Sequence, residues 1–253
     1  MRYLFLPGAD LTQSTLTIDG PDAHHLLNVL RIRPGETLTL LDNAGQAALS
    51  ETAVAGKRSI VLRLLHEITC PPDPQVHITV AQALGKGDKF EQVVQHATEV
   101  GVSAFVPLLT DRTVVKIESR DVASKLARWL AIAKGAAEQA GRGRIPTIVP
   151  PISLRDLCAR FPDYGRVLLL HPAADCGSVG VWPMGRNSRS HTPTLPHSHT
   201  LLLVGPEGGF SPGELEMAGG AGARRTSLGP FTLRTETAAL VAVTRILYEV
   251  ERG

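Results

Sequence analysis

Two glycine-rich loops near the C-terminal end hold the residue types best suited to chemistry. The first is Gly205-Pro206-Glu207-Gly208-Gly209, which leaves the apolar run Leu201-Leu202-Leu203-Val204. Ser211-Pro212-Gly213-Glu214 follows, with Ser at an N-cap, Pro at the first helical position and Glu at the third, a capping box. Gly205 to Gly209 is therefore predicted to turn from a strand end onto a helix N-terminus, where free backbone N–H groups gather and ligands are held. Paired glycines let a ligand approach the backbone with no Cβ in the way. The second loop, Leu228-Gly229-Pro230-Phe231-Thr232-Leu233, runs into Arg234-Thr235-Glu236-Thr237 at the start of the last helix. A guanidinium there can stabilise a developing anion, and a carboxylate can take a proton.

Taken singly, each loop also reads as an ordinary strand-to-helix turn, with Glu214 and Glu236 as caps. Other ligand motifs fail. The first loop lacks the Lys-Ser/Thr of a P-loop. Gly220-Ala-Gly222 lacks the third glycine of a dinucleotide fingerprint, and Gly85-Lys86-Gly87 is not a phosphate loop. No Ser-His-Asp order, carboxylate pair or metal set stands out. Cys70, Cys158 and Cys176 are scattered, against a disulfide scaffold or zinc ribbon. His197 and His199 form an H-x-H pair near His191, but no acidic or cysteine partner lies close, so they read as solvated loop histidines.

The elements that must position these loops fall into two grammars. Residues 14–18, 36–41 and 59–65 read as strands, the first two alternating polar and apolar, with one short helix over 21–30. Their spacing suggests a small closed barrel. Cys70-Pro71-Pro72-Asp73-Pro74 marks a boundary, giving domains 1–72 and 73–253. Beyond it, strands and helices alternate. A strand over 76–83 precedes a helix capped by Asp88, with Phe90, Val93, Val94, Ala97 and Val100 on one face and Gly101 at its end. Residues 105–109 form a strand that Pro107 assigns to an edge. A long helix over 119–140 follows, then short apolar strands at 145–149, 166–170 and 200–204, and a last helix over 235–251. This alternation predicts a parallel sheet covered by helices. Residues 176–199, rich in Ser, Pro, Gly and His, read as a mobile surface insertion.

Composition sets the bounds. A 253-residue chain with 43% hydrophobic and 20% charged residues is globular and buries a core without staples. A net charge of +2 permits an anionic partner without demanding one. No apolar run approaches the ~20 residues of a membrane span. The apolar start is cut off by Pro7-Gly8, too early for a signal peptide. A soluble, cytoplasmic α/β protein is expected.

The two loops in this order resemble those of the SPOUT methyltransferases, and within them the family that methylates N3 of a uridine in 16S ribosomal RNA. The matching pieces are Gly205 to Gly209 with Ser211, Leu228-Gly229-Pro230, and the run from Leu233 to Ala238. Glu99 to Val102, Glu138-Gln139, Arg142-x-Arg144-x-Pro146 and Leu170-His171-Pro172 are also similar. His24-His25 with Val29-Leu30-Arg31 resembles the start of that family's PUA-like RNA-binding barrel.

The resemblance implies an α/β fold, with a C-terminal SPOUT trefoil-knot methyltransferase domain and an N-terminal PUA-like β-barrel. It implies a homodimer joined largely by the last helix and the first knot helix, acting without a metal. S-adenosyl-L-methionine would be cradled by Leu170, His171, Gly205, Pro206, Glu207, Gly208, Gly209, Leu228, Gly229 and Leu233, mostly through backbone groups. Arg234 would stabilise the uracil anion, and Glu236 or Glu138 would take the N3 proton. Arg31, Arg33, Lys86, Lys89, Arg142 and Arg144 would hold 16S RNA of the small subunit. Two rivals remain: a SPOUT enzyme acting on another RNA, and a ribosome-assembly factor that binds RNA without methyl transfer. Phe231, where relatives commonly have a basic residue, favours the second.

Overall fold

A computed structural model of the chain describes residues 2–113, 115, 117–172 and 199–252. The insertion expected at 176–199 lies outside these residues apart from His199, and with it Cys176, His191 and His197. The chain divides into two compact units, Met1–Asp73 with Lys134–Ile145, and Pro74–Ala133 with Pro146–Gly253.

The first unit contains β1 (Tyr3–Phe5), β2 (Thr15–Ile18), α1 (Gly20–His24), β3 (Thr37–Leu41), β4 (Ala47–Ala55) and β5 (Ile60–Ile68). They form one sheet in the order β1-β3-β4-β5-β2. β1 runs parallel to β3, and the remaining neighbours are antiparallel. Among the described residues no hydrogen-bonded pairing joins β1 to β2, so the closed barrel expected from strand spacing is a curled half-barrel. The single helix expected over 21–30 is α1 followed by a π-helical turn, His25–Val29, in which the Leu30 N–H reaches back to the His25 carbonyl at 3.0 Å.

Strand β3 is buried on both faces. Leu38 and Leu40 pack with Leu4, Leu26, Ile60 and Leu62. Leu41 joins Phe5 and Ala47 in a second small core closed by Ala137 and Ile145 from the stretch Lys134–Ile145. Polar contacts fasten that stretch. Glu138 accepts the Phe5 N–H at 2.9 Å, and Lys134 pairs with Asp22 at 2.9 Å. Arg142 pairs with Asp73 at 3.0 Å, and the Asn43 side chain accepts the Ile145 N–H at 2.7 Å.

The second unit holds β6 (His77–Ala83), α2 (Lys89–Glu99), β7 (Ala104–Leu109), α3 (Val122–Ala140, to Ala133 in this unit), β8 (Thr147–Ile148) and β9 (Ile152–Ser153). After them come α4 (Leu154–Cys158), β10 (Arg166–Leu170), β11 (His199–Val204), α5 (Pro212–Gly220), β12 (Arg224–Thr226) and α6 (Thr235–Arg252). The sheet runs β12-β10-β11-β6-β7-β8, with β9 also paired to β7, and every pairing is parallel. Its strands are short apolar runs because helices bury them on both faces. The core joins Leu169, Leu201 and Leu203 to Leu154, Leu157, Phe161 and Phe210.

Three local expectations change. Asp88 stands at the N-cap of α2, but its side chain makes no capping hydrogen bond. The strand expected over 145–149 is only Thr147–Ile148, because Pro146 and Pro150 bracket it. Pro107 does not mark an edge, since β7 lies between β6 and the β8/β9 pair. Its lost donor is tolerated because Val106 and Pro107 fall in the gap between the Phe105–Ile148 and Leu108–Ile152 partners, where Pro150 and Pro151 interrupt the neighbour.

Among the described residues, no helix is long and apolar enough to cross a membrane, and no group of three His, Cys, Asp or Glu is placed to hold a metal ion.

Candidate functional site

Strands β10, β11 and β12 are parallel neighbours, so the loops that follow them emerge at the same end of the sheet. They line a cleft of about 730 Å³, within the usual size of small-molecule sites. Of the residues expected to hold a cofactor, Leu170, His171, Gly205, Pro206, Glu207, Gly208, Gly209, Leu228 and Leu233 line it. Gly229 is not among the lining residues. Its N–H instead bonds the Ser227 hydroxyl oxygen at 3.2 Å, and that hydroxyl donates to the Gly229 carbonyl at 3.0 Å.

The first loop is held from below. The capping box is complete: Ser211 Oγ accepts the Glu214 N–H at 3.2 Å, and the Glu214 carboxylate accepts the Ser211 N–H at 2.7 Å. The other Glu214 oxygen accepts the Asp111 N–H at 2.8 Å, and the Ser211 hydroxyl donates to the Asp111 carboxylate at 2.6 Å. Arg112, next in the turn after β7, donates to the Gly208 carbonyl. Within the loop, the Gly209 N–H closes on the Pro206 carbonyl at 2.8 Å with Gly209 at φ +68°, a conformation glycine adopts without penalty.

Glu207 leans against the segment Gly85-Lys86-Gly87. A Cβ on Gly85 would come within 2.9 Å of the Glu207 carboxylate, so a side chain there would push Glu207 from its present position. Lys89 Nζ lies 2.6 Å from the same carboxylate, and its hydrogen bond holds Glu207 below the ordinary glutamate range. Of the two glycines after β6, Gly85 is the one against Glu207.

A third anchor comes from α6. The Thr235 hydroxyl donates to the Gly205 carbonyl at 2.7 Å and accepts from Gln82 Nε2 at 2.8 Å. Gln82, buried in β6, thereby ties the middle of the sheet to two of the three loops.

The residues expected to act on substrate are distributed unequally. Arg234 lines the cleft and makes no ion pair among the described residues. Glu236, one turn-step inside α6, is not a lining residue. Its Oε2 is buried and has no hydrogen-bond partner among the described residues. Glu138 belongs to the N-terminal unit, where burial raises its carboxyl above the usual glutamate value against the opposing Phe5 hydrogen bond.

Of the cations expected to face RNA, Arg31, Arg33 and Lys86 are exposed. Arg144 is 60% exposed while donating to the Ala44 carbonyl, and Arg142, at 10%, is turned inward onto Asp73. Lys89 lines the cleft in its pair with Glu207.

Two further cations in the cleft, Arg112 and Arg225, are absent from the sequence reading. Arg112 arrives from a turn remote in sequence. Arg225 sits on β12, whose run Arg-Arg-Thr has no apolar signal of a strand.

A parallel sheet with a ligand cleft at the C-terminal ends of its strands, in a chain that also carries a PUA-like half-barrel, defines a SPOUT-type methyltransferase architecture. Family models agree: residues 71–247 match an RNA methyltransferase domain and residues 18–65 an RNA methyltransferase PUA domain. The ribosomal RNA small subunit methyltransferase E of Bacillus subtilis (strain 168) is 32% identical over 239 residues, 94% of this chain and 91% of that one. The enzyme of that name from Mycobacterium tuberculosis (strain CDC 1551 / Oshkosh) is 35% identical over 236 residues, 92% of this chain and 86% of its own. The crystal structure of the Neisseria gonorrhoeae one, bound to S-adenosyl methionine, superposes with a TM-score of 0.83 at 31% identity, covering 98% of this chain and 97% of that one. The chain belongs to the ribosomal RNA small subunit methyltransferase E family.

Proposed function

We propose that this chain transfers a methyl group from S-adenosyl-L-methionine to N3 of a uracil in the 16S RNA of the small ribosomal subunit, as a cytoplasmic homodimer. The observation that carries the reading is the cleft itself: three backbone-rich loops braced from β6, β7 and α6, with a guanidinium on the wall that makes no ion pair among the described residues. Its residues fit a cofactor of this size. The loops present glycine backbone, and the cleft volume suits a nucleoside-sized ligand. When bound, the cofactor supplies an activated methyl on its sulfonium.

The chain's own groups do the rest. Uracil N3–H is weakly acidic, so N3 becomes nucleophilic once the proton leaves. Arg234, on the cleft lining, stabilises the imide anion through its fixed positive charge. Glu236 takes the proton. It stands in the first turn of α6, and its Oε2 has no hydrogen-bond donor among the described residues. Glu138, already accepting the Phe5 N–H, is the weaker candidate for this step. Positioning supplies much of the remaining acceleration. Arg31, Arg33, Lys86, Lys89 and Arg144 contact RNA phosphates, and Arg142 supports them by its hold on Asp73.

The test is methyl transfer from labelled cofactor to small subunits lacking the modification, with the product nucleoside identified by mass spectrometry. N3-methyluridine is expected. Another methylated nucleoside overturns the substrate; none at all, with cofactor bound, favours the assembly-factor reading. Arg234→Ala should lower turnover by about 10²-fold or more, as loss of a transition-state donor does, while cofactor affinity stays within twofold. Unchanged turnover removes Arg234 from the mechanism.

A further inference from the structure

Phe231 is 82% exposed, the most exposed large hydrophobic side chain among the described residues, yet it lines the cleft. A lone apolar residue on an outer surface needs no explanation. An aromatic ring on the lip of a ligand cleft, in the same loop as Arg234, is a different case. Arg112, Arg225 and Arg234 line the same cleft, none of them in an ion pair among the described residues, and Arg112 donates to the Gly208 carbonyl. An exposed flat ring in a cleft whose guanidinium groups form no ion pair among the described residues is complementary to a nucleic-acid strand, whose bases stack on the ring while cations take the phosphates.

From this geometry, and resting on the RNA methylation reading above, we propose that Phe231 stacks on the base adjacent to the target uridine and so sets how the RNA enters the cleft. An enzyme that works on a base atom must unstack that base, at a cost of a few kcal/mol. The neighbouring base loses a stacking face when the target leaves, and a ring on the cleft lip replaces it. The target itself is placed beside Arg234, the guanidinium three residues along the same loop, and Phe231 is left for its neighbour. Stacking does not read sequence by hydrogen bonding, so Phe231 governs affinity and entry more than the choice of base.

The experiment compares Phe231→Ala, Phe231→Leu and Phe231→Tyr. Two readouts are taken: the affinity for small subunits at saturating cofactor, which needs no turnover, and the KM for those subunits. Phe231→Ala should weaken both by about 5- to 150-fold, the fold-change of one aromatic–base stack. Phe231→Tyr should restore them and Phe231→Leu should not. An abasic site next to the target uridine should weaken wild type and leave Phe231→Ala unmoved.

Restoration by Leu would mean bulk alone matters, and unchanged affinity in Phe231→Ala would mean that the ring touches no RNA; either overturns the proposal. So does a shift of the variant from dimer to monomer, which would place the ring against a second copy. Wild type that binds small subunits but transfers no methyl defeats the methylation reading while leaving the stack measurable. Wild type that does not bind them defeats the stack as well.

Discussion

At the scale of single residues, the structure separates carboxylates that one sequence pattern groups together. Glu214 is spent on backbone N–H groups, Glu207 on Lys89, and Glu236 keeps a buried oxygen with no donor among the described residues. Glu138 faces the opposite situation, a carboxylate pushed up by burial more than Phe5 and Lys134 pull it down. Its folded value lies above its unfolded one, so the native state binds the extra proton in the window above the ordinary 4.5. Stability therefore falls as pH rises through that window, and the deficit is complete above the folded value. Glu138→Gln keeps an oxygen for the Phe5 N–H and removes the titration. Urea midpoints followed from about pH 4 to 7 should decline less in the variant than in wild type. Parallel pH profiles would show that the carboxyl does not titrate between these states. Such assignments were only partly legible in sequence. Loops announce themselves through glycine and capping residues, which are local. The partner of a carboxylate is set by tertiary contact, and so were Arg112 and Arg225, which reach the cleft from elements far from the two motifs.

At the scale of elements, the cleft is kept open by three braces rather than by the loops' own sequences. The turn after β7 holds Gly208 and Ser211, β6 holds Glu207 through its glycine exit, and Thr235 of α6 holds the Gly205 carbonyl. The last joins elements 153 and 30 residues apart in chain, Gln82 and Gly205. Thr235→Val keeps the shape and deletes the hydroxyl, leaving a buried amide donor and a part-buried carbonyl unpaired. A loss of about 1–3 kcal/mol in unfolding free energy is expected, with cofactor affinity weakened and Thr235→Ser restoring both. Chemical denaturation and calorimetric titration measure the two effects; intact cofactor affinity in Thr235→Val would show that Gly205 needs no brace. The parallel sheet and its helices were readable because buried strands are apolar runs and helices carry periodic stripes. What escaped had no such signature: β12 is polar, β9 has two residues, and β1 needs β3 beside it. Pro107 misled because a missing donor signals an edge only when a full-length neighbour is present.

At the scale of the whole molecule, a net charge of +2 on 253 residues gives no strong global field, so RNA recognition rests on where the cations are left free. In the N-terminal unit, Arg142 is consumed by Asp73, whereas Arg31 and Arg33 are exposed, beside a π-helical turn that leaves Val29 61% exposed. Phosphate contacts release counterions, so affinity falls with salt in proportion to their number, at about 0.7 to 0.9 per contact on a log–log plot. Arg31→Ala and Arg33→Ala should each flatten that slope by roughly one unit while weakening binding at low salt. Phe231→Ala should weaken binding with the slope unchanged, because a stack releases no counterions. Small-subunit affinity measured across a salt series for the three variants distinguishes the terms. A slope untouched by both arginine changes would move the RNA-gripping surface off the N-terminal unit's arginines and onto the cations of the cleft.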